Sequence, residues 1–173
     1  MLFTIAPVAD KPATGRPTAG ARADFARARR RQRAAQVGRR LLARRPTATH
    51  PRDLDGVAAL FGRPARLRPI PLDAIVGTVD ATTDFDSDFA PATDRVAARW
   101  QSIACAHRAG HPLPPIAVIE RGDGYYVLDG RHRVSVARAL GHGEIDAWTS
   151  RSAVPRRRRH TRAARLPVRD PPS

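Results

Sequence analysis

The chain has 173 residues, 42% of them apolar and only 5% aromatic, with 12 glycines and 16 prolines. That composition supports one modest core over part of the length rather than two domains. Its 31 basic and 16 acidic residues give a net charge of +15. The single cysteine excludes an intrachain disulfide and a cysteine-based zinc site, and no apolar run approaches the ~20 residues of a membrane-spanning helix.

The opening nine residues lack the basic stretch and the length of a secretory signal. The expectation is a soluble, cytoplasmic protein with no membrane partner. The charge is unevenly spread. Residues 1–66 hold 15 basic and 4 acidic residues (+11), residues 67–149 hold 8 and 11 (−3), and residues 150–173 hold 8 and 1 (+7). A slightly acidic segment thus lies between two basic arms. Such arms concentrate polyanions by long-range attraction and counterion release. DNA, bound without sequence preference, is the expected partner, and a nucleoid location would follow. Arg29, Arg30, Arg31 and Arg33 in the first arm and Arg156, Arg157, Arg158 and Arg159 in the second are the expected contacts.

In chain order, residues 1–21 are rich in Ala, Pro, Thr and Gly and read as disordered. Residues 22–45 are mostly Ala, Arg and Gln, good helix formers without a wide apolar stripe. They predict a basic helical arm over 22–63, marginal alone and firmed by a polyanion. Pro46 ends the helix. Leu54, Val57, Ala58, Leu60 and Phe61 recur at helical spacing behind Asp53, a residue suited to capping, and predict a short helix over 53–61.

Leu67 to Leu72 reads as a first strand, placed at a sheet edge by its two prolines. Asp73 to Ala90 reads as an acidic loop. Residues 93–109 predict a helix with Val96, Trp100, Ile103 and Ala104 on one face and Gly110 as its stop. Residues 116–120 and 125–128 are strands around an Arg-Gly-Asp-Gly turn. Asp129-Gly130 is a strand-to-helix turn, residues 131–140 form a helix, and residues 144–149 form a last strand. Trp100 reads as core and Trp148 as packing that strand. Residues 150–173 read as a basic disordered tail.

The strongest local signal is Tyr126-Val127-Leu128-Asp129-Gly130-Arg131-His132-Arg133. A strand meets a glycine turn and then a helix, whose first backbone N–H groups point at any anion placed there. Arg133 is suited to grip phosphate in a fork and His132 to donate to a phosphoryl oxygen. Asp129 is suited to cap the helix or to ligate Mg²⁺. Histidines 107, 111, 132 and 142 match no familiar ligand spacing and read as solvated or capping residues.

Taken with Leu113-Pro114-Pro115-Ile116-Ala117-Val118 upstream, and Ala137 and Leu140-Gly141 downstream, this run resembles the N-terminal domain of ParB partition proteins. That superfamily also holds sulfiredoxins and kinases acting on free serine. The resemblance covers 67–149 and implies an α+β fold, a small ParB/sulfiredoxin-like domain over 64–149 with a short mixed sheet and packed helices. It also implies nucleotide phosphates, CTP or ATP with Mg²⁺, held by Asp129, Gly130, Arg131, His132 and Arg133. ParB proteins carry an acidic residue, and sulfiredoxins their catalytic cysteine, where this chain has Arg131. Sulfiredoxin chemistry is thereby excluded.

The main expectation is a nucleotide-binding, DNA-associated protein. The alternative is a small-molecule kinase with Asp80 as base, ahead of Asp84 and Asp86, and His132 on the phosphates. A third reading is a nuclease, for which the sequence shows no carboxylate cluster of convincing spacing, and the last is a non-catalytic adaptor with a degenerate pocket. A monomer and a homodimer both suit the sequence.

Overall fold

The computed structural model describes residues 17–42, 52–53 and 66–151. Along the chain run α1 (Ala19–Leu42), β1 (Arg52–Asp53), β2 (Arg66–Pro71), β3 (Ile75–Thr78), α2 (Ala97–Arg108), β4 (Ile116–Arg121), β5 (Gly124–Asp129), α3 (Arg131–Ala139) and β6 (Glu144–Arg151). The six strands form one mixed sheet in the order β1-β3-β5-β4-β6-β2. The β4–β5 hairpin is antiparallel, as its Gly-Asp turn predicts, while β3 runs parallel to β5 and β4 parallel to β6. The fold is α+β.

Strand β2 lies at one end of the sheet, paired only with β6. This is where Pro69 and Pro71, lacking ladder donors, do least harm. Strand β3 is a correction: the stretch expected to be loop from Asp73 to Ala90 holds an internal strand between β1 and β5. It is only four residues long and buried on both faces apart from the half-buried Val76, so it lacks the alternation that marks a half-exposed strand. Helix α2 is entered through a 3-10 turn, Asp94–Val96, and starts at Ala97.

Two apolar clusters hold the layers together. Ile70, Ile75, Phe89, Ile116, Val118, Val127, Val134 and Ala147 pack α3 onto the sheet. Trp100, Ile103, Ala104, Phe85 and Val136 pack α2 and α3, and α1 adds Ala21, Phe25 and Ala28. Trp100 is fully buried and its indole N–H donates to Ser135 Oγ at 2.9 Å. Trp148 is not core: it is 42% exposed on β6, opposite the exposed Leu67 on β2.

Helix α1 overturns the expectation of a free arm. It begins at Ala19, inside the segment expected to be disordered, and docks on α2. The Phe25 ring meets Trp100 edge-on, centroids 5.4 Å apart. Buried Asp24 takes Arg108 at 2.7 Å. Arg29 reaches Asp94 at 3.1 Å and the Pro91 carbonyl at 3.0 Å. Arg39 reaches Asp86 at 3.3 Å. The helix is firmed by the protein's own acidic residues, and the packed unit extends beyond 64–149. Of the helix expected over 53–61, only Asp53 is described, and it lies in β1, paired with Thr78 of β3. The remainder of that helix, the expected disorder over 1–16 and the tail from residue 152 with Arg156 to Arg159 lie outside the described residues.

Candidate functional site

The site is built where β5 ends. Asp129 is the last residue of β5, Gly130 turns the chain, and α3 starts at Arg131. Gly130 has φ 102°, the left-handed region where a side chain is strained. A Cβ there would meet Ile116 Cγ2 at 2.5 Å and Ile116 Cβ at 2.9 Å. Only glycine fits, and a glycine N-cap brings no side chain to satisfy the helix N–H groups. The first bond of the α3 ladder runs from the Val134 N–H to the Gly130 carbonyl at 3.0 Å. The N–H groups of Arg131, His132 and Arg133 therefore have no acceptor one turn back within the helix.

This helix end faces an open cleft of about 380 Å³. Its far wall is the loop Ala81–Phe85, its side is Arg99 of α2, and its floor is Asp129, Gly130, Arg131 and His132. Asp84 lines it and accepts from Thr93 Oγ1 at 2.9 Å. The His132 ring packs edge-on against Phe85 with centroids 5.2 Å apart, which fixes its plane. Two guanidinium groups and a helix N-terminus thus surround a space that also receives two carboxylates. Such a space suits an anion held by dipole and charge, with carboxylate oxygens at hand for a hard cation.

The expected site residues divide. Gly130, Arg131 and His132 line the cleft. Asp129 lines it too, but does not cap: its Oδ2 accepts from Arg133 Nη2 at 2.7 Å. Arg133 is a correction. It does not reach for a ligand: its side chain is 1% exposed and its Nη1 donates to the carbonyls of Pro114 at 2.6 Å and Pro115 at 3.0 Å. One turn of helix carries it to the inner face, where its fork ties the Pro-Pro segment to α3. Asp80, the first candidate for a base, lies apart from the cleft. It is exposed and outside the cleft lining, with its backbone carbonyl accepting from Thr78 Oγ1 at 2.5 Å. Asp86 is buried and holds the loop, accepting from the backbone N–H groups of Asp88 and Ala90 at 3.0 and 2.9 Å.

Arg99 was not foreseen. Its position on α2, next to Trp100, gave no signal until the fold brought that helix beside α3. Arg29, expected on DNA, is instead tied to Asp94. Arg30, Arg31 and Arg33 are exposed on the outer side of α1. Cys105 is on α2 against Thr18, whose backbone N–H donates to its Sγ at 3.2 Å, and does not line the cleft.

No family model and no curated protein matches this chain. Among solved structures that it resembles is a sulfiredoxin from Arabidopsis thaliana, with 22% sequence identity and a TM-score of 0.38, covering 50% of this chain and 86% of that one. No helix among the described residues is long and apolar enough to cross a membrane.

Proposed function

We propose that this chain binds the phosphates of a nucleoside triphosphate at the N-terminus of α3 and holds DNA, without sequence preference, on the outer face of α1. One observation carries the reading: a glycine-only turn opens a helix N-terminus into a cleft bordered by Arg99 and Arg131. The backbone N–H groups at Arg131 and His132 donate to phosphate oxygens, and the two guanidinium groups supply countercharge. His132 donates to a further oxygen. Asp84 and Asp129 offer the oxygen donors that Mg²⁺ prefers, and Mg²⁺ would neutralise the remaining phosphate charge. Arg133 positions the turn from behind.

The DNA contact rests on Arg22, Arg27, Arg30, Arg31 and Arg33, all exposed on the side of α1 turned away from α2. Arg156 to Arg159 in the C-terminal arm would add to it.

Calorimetric titration of the full chain with CTP and with ATP in Mg²⁺ tests the nucleotide half. Saturable binding, weakened at least about tenfold in Arg131→Ala, is the expected outcome; a tenfold loss corresponds to about 1.4 kcal/mol. No binding of either nucleotide would leave an adaptor with the cleft unused. A second reading, phosphoryl transfer to a small hydroxyl compound, gains from Asp84, which supplies inside the cleft the carboxylate expected of Asp80. Under it Asp84→Asn abolishes turnover and spares binding, while Asp80→Asn leaves both unchanged.

A further inference from the structure

At the other end of α3 lies a side-chain cluster that the anion cleft does not use. His107 is in the last turn of α2, and His142 follows the C-terminus of α3. Their Nε2 atoms are 2.8 Å apart, with the ring planes at 87° and the centroids 4.6 Å apart. Two rings meeting end to end at that nitrogen separation would hold their centroids farther apart, by a ring radius on each side. The rings therefore meet at an angle and not end to end, with the two Nε2 atoms within hydrogen-bond distance of each other.

We propose that His107 and His142 form a binding site for one divalent transition-metal ion of the nickel, copper and zinc group. Imidazole nitrogen is the donor these ions share a preference for, at about 2.0–2.1 Å for zinc. Two nitrogens at that bond length and near a right angle on one ion are separated by about 2.9 Å, close to the 2.8 Å seen here. The surroundings favour a cation. The small cavity of about 150 Å³ that both rings border is also lined by Glu144 and Asp146. Its one arginine, Arg133, is matched by Asp129. Arg108, next to His107, is matched by Asp24.

Among the described residues no group of three or more potential ligands forms. Water thus completes the coordination, and the ion is exchangeable rather than structural. It would clamp the end of α2 to the turn between α3 and β6.

The test is calorimetric titration of the full chain with Ni²⁺, Cu²⁺ or Zn²⁺ alone, with electron paramagnetic resonance of the Cu²⁺ form. His107→Gln and His142→Gln are compared with a control variant in which His50, His111 and His160 are all Gln. One saturable equivalent, nitrogen hyperfine structure from two imidazoles, and an affinity loss of at least about tenfold in each single variant but not in the control support the site. Binding that survives in both single variants, or that vanishes in the control, overturns it. So does the absence of a saturable equivalent in the unmodified chain. His142 lies in an exposed turn, so His142→Gln keeps the test valid should His107→Gln unfold.

Discussion

Helices α1 and α3 are both rich in arginine, and they use it in opposite ways. On α1 five arginines face away from the protein, while Arg29 and Arg39 lie against the acidic loop. On α3 two of the three arginines turn inward. Arg133 holds the Pro114 and Pro115 carbonyls, and Arg138 holds the Leu72 and Ile75 carbonyls at 2.6 and 2.9 Å. Burial pushes the Arg138 guanidinium below its usual value, against Asp88, Asp73 and Asp86, which raise it. The lesson is that an arginine's role follows from which side of its helix meets the protein. Charge count predicts a polyanion surface only for the arginines left outside.

The sharpest way to break this comparison is to remove an inward arginine and an outward set separately. Arg133→Ala should cost about 3 kcal/mol, seen as a lower urea midpoint, since it strands two carbonyls and empties the space of a fully buried side chain. Arg133→Lys should restore little of it, because an ammonium cannot span the fork. If Arg133→Ala were as stable as the parent, the inward role would be wrong.

Phe25→Ala tests whether α1 belongs to the core. Phe25 is 7% exposed, and a loss of about 3 kcal/mol is expected. Amide exchange in α1 should rise well above that in α3. Uniform exchange across both helices would mean that α1 and the rest open as one unit.

A smaller effect is expected of Asp24→Asn. The carboxylate is buried, whereas Arg108 is half exposed, so about 1–2 kcal/mol is the expected loss in thermal or urea unfolding. Molar salt should narrow the gap between parent and variant.

The smallest stability effect belongs to the triple variant Arg30→Ala, Arg31→Ala, Arg33→Ala, which should stay within about 0.5 kcal/mol of the parent. Its signature is in DNA binding instead. The slope of log affinity against log salt should fall by up to about 3, close to one unit for each lost phosphate contact. An unchanged slope would move the DNA surface off α1.

The sequence reached the α+β class and the β5-Gly130-α3 turn because those signals are local. The Tyr-Tyr-Val-Leu run marks β5, the Asp129-Gly130 pair marks the turn, and the apolar spacing of Val134 and Ala137 marks α3. It missed the docking of α1 because the stripe there is Ala21, Phe25, Ala28 and Gln32, in which Phe25 is the one large apolar side chain and the rest count for little in a hydrophobic pattern. It missed β3 because a short central strand is buried on both faces and carries no period.

At the site, the sequence by itself determined the glycine turn, and with it Gly130, Arg131 and His132, because three consecutive residues at a helix start can only be neighbours. The direction of Arg133, the placement of Asp84 but not Asp80 on the cleft, the arrival of Arg99 and the meeting of His107 with His142 were decided by tertiary structure alone. Each depends on how α2, α3 and the 79–93 loop pack across dozens of residues of chain, a distance over which local propensity carries no information.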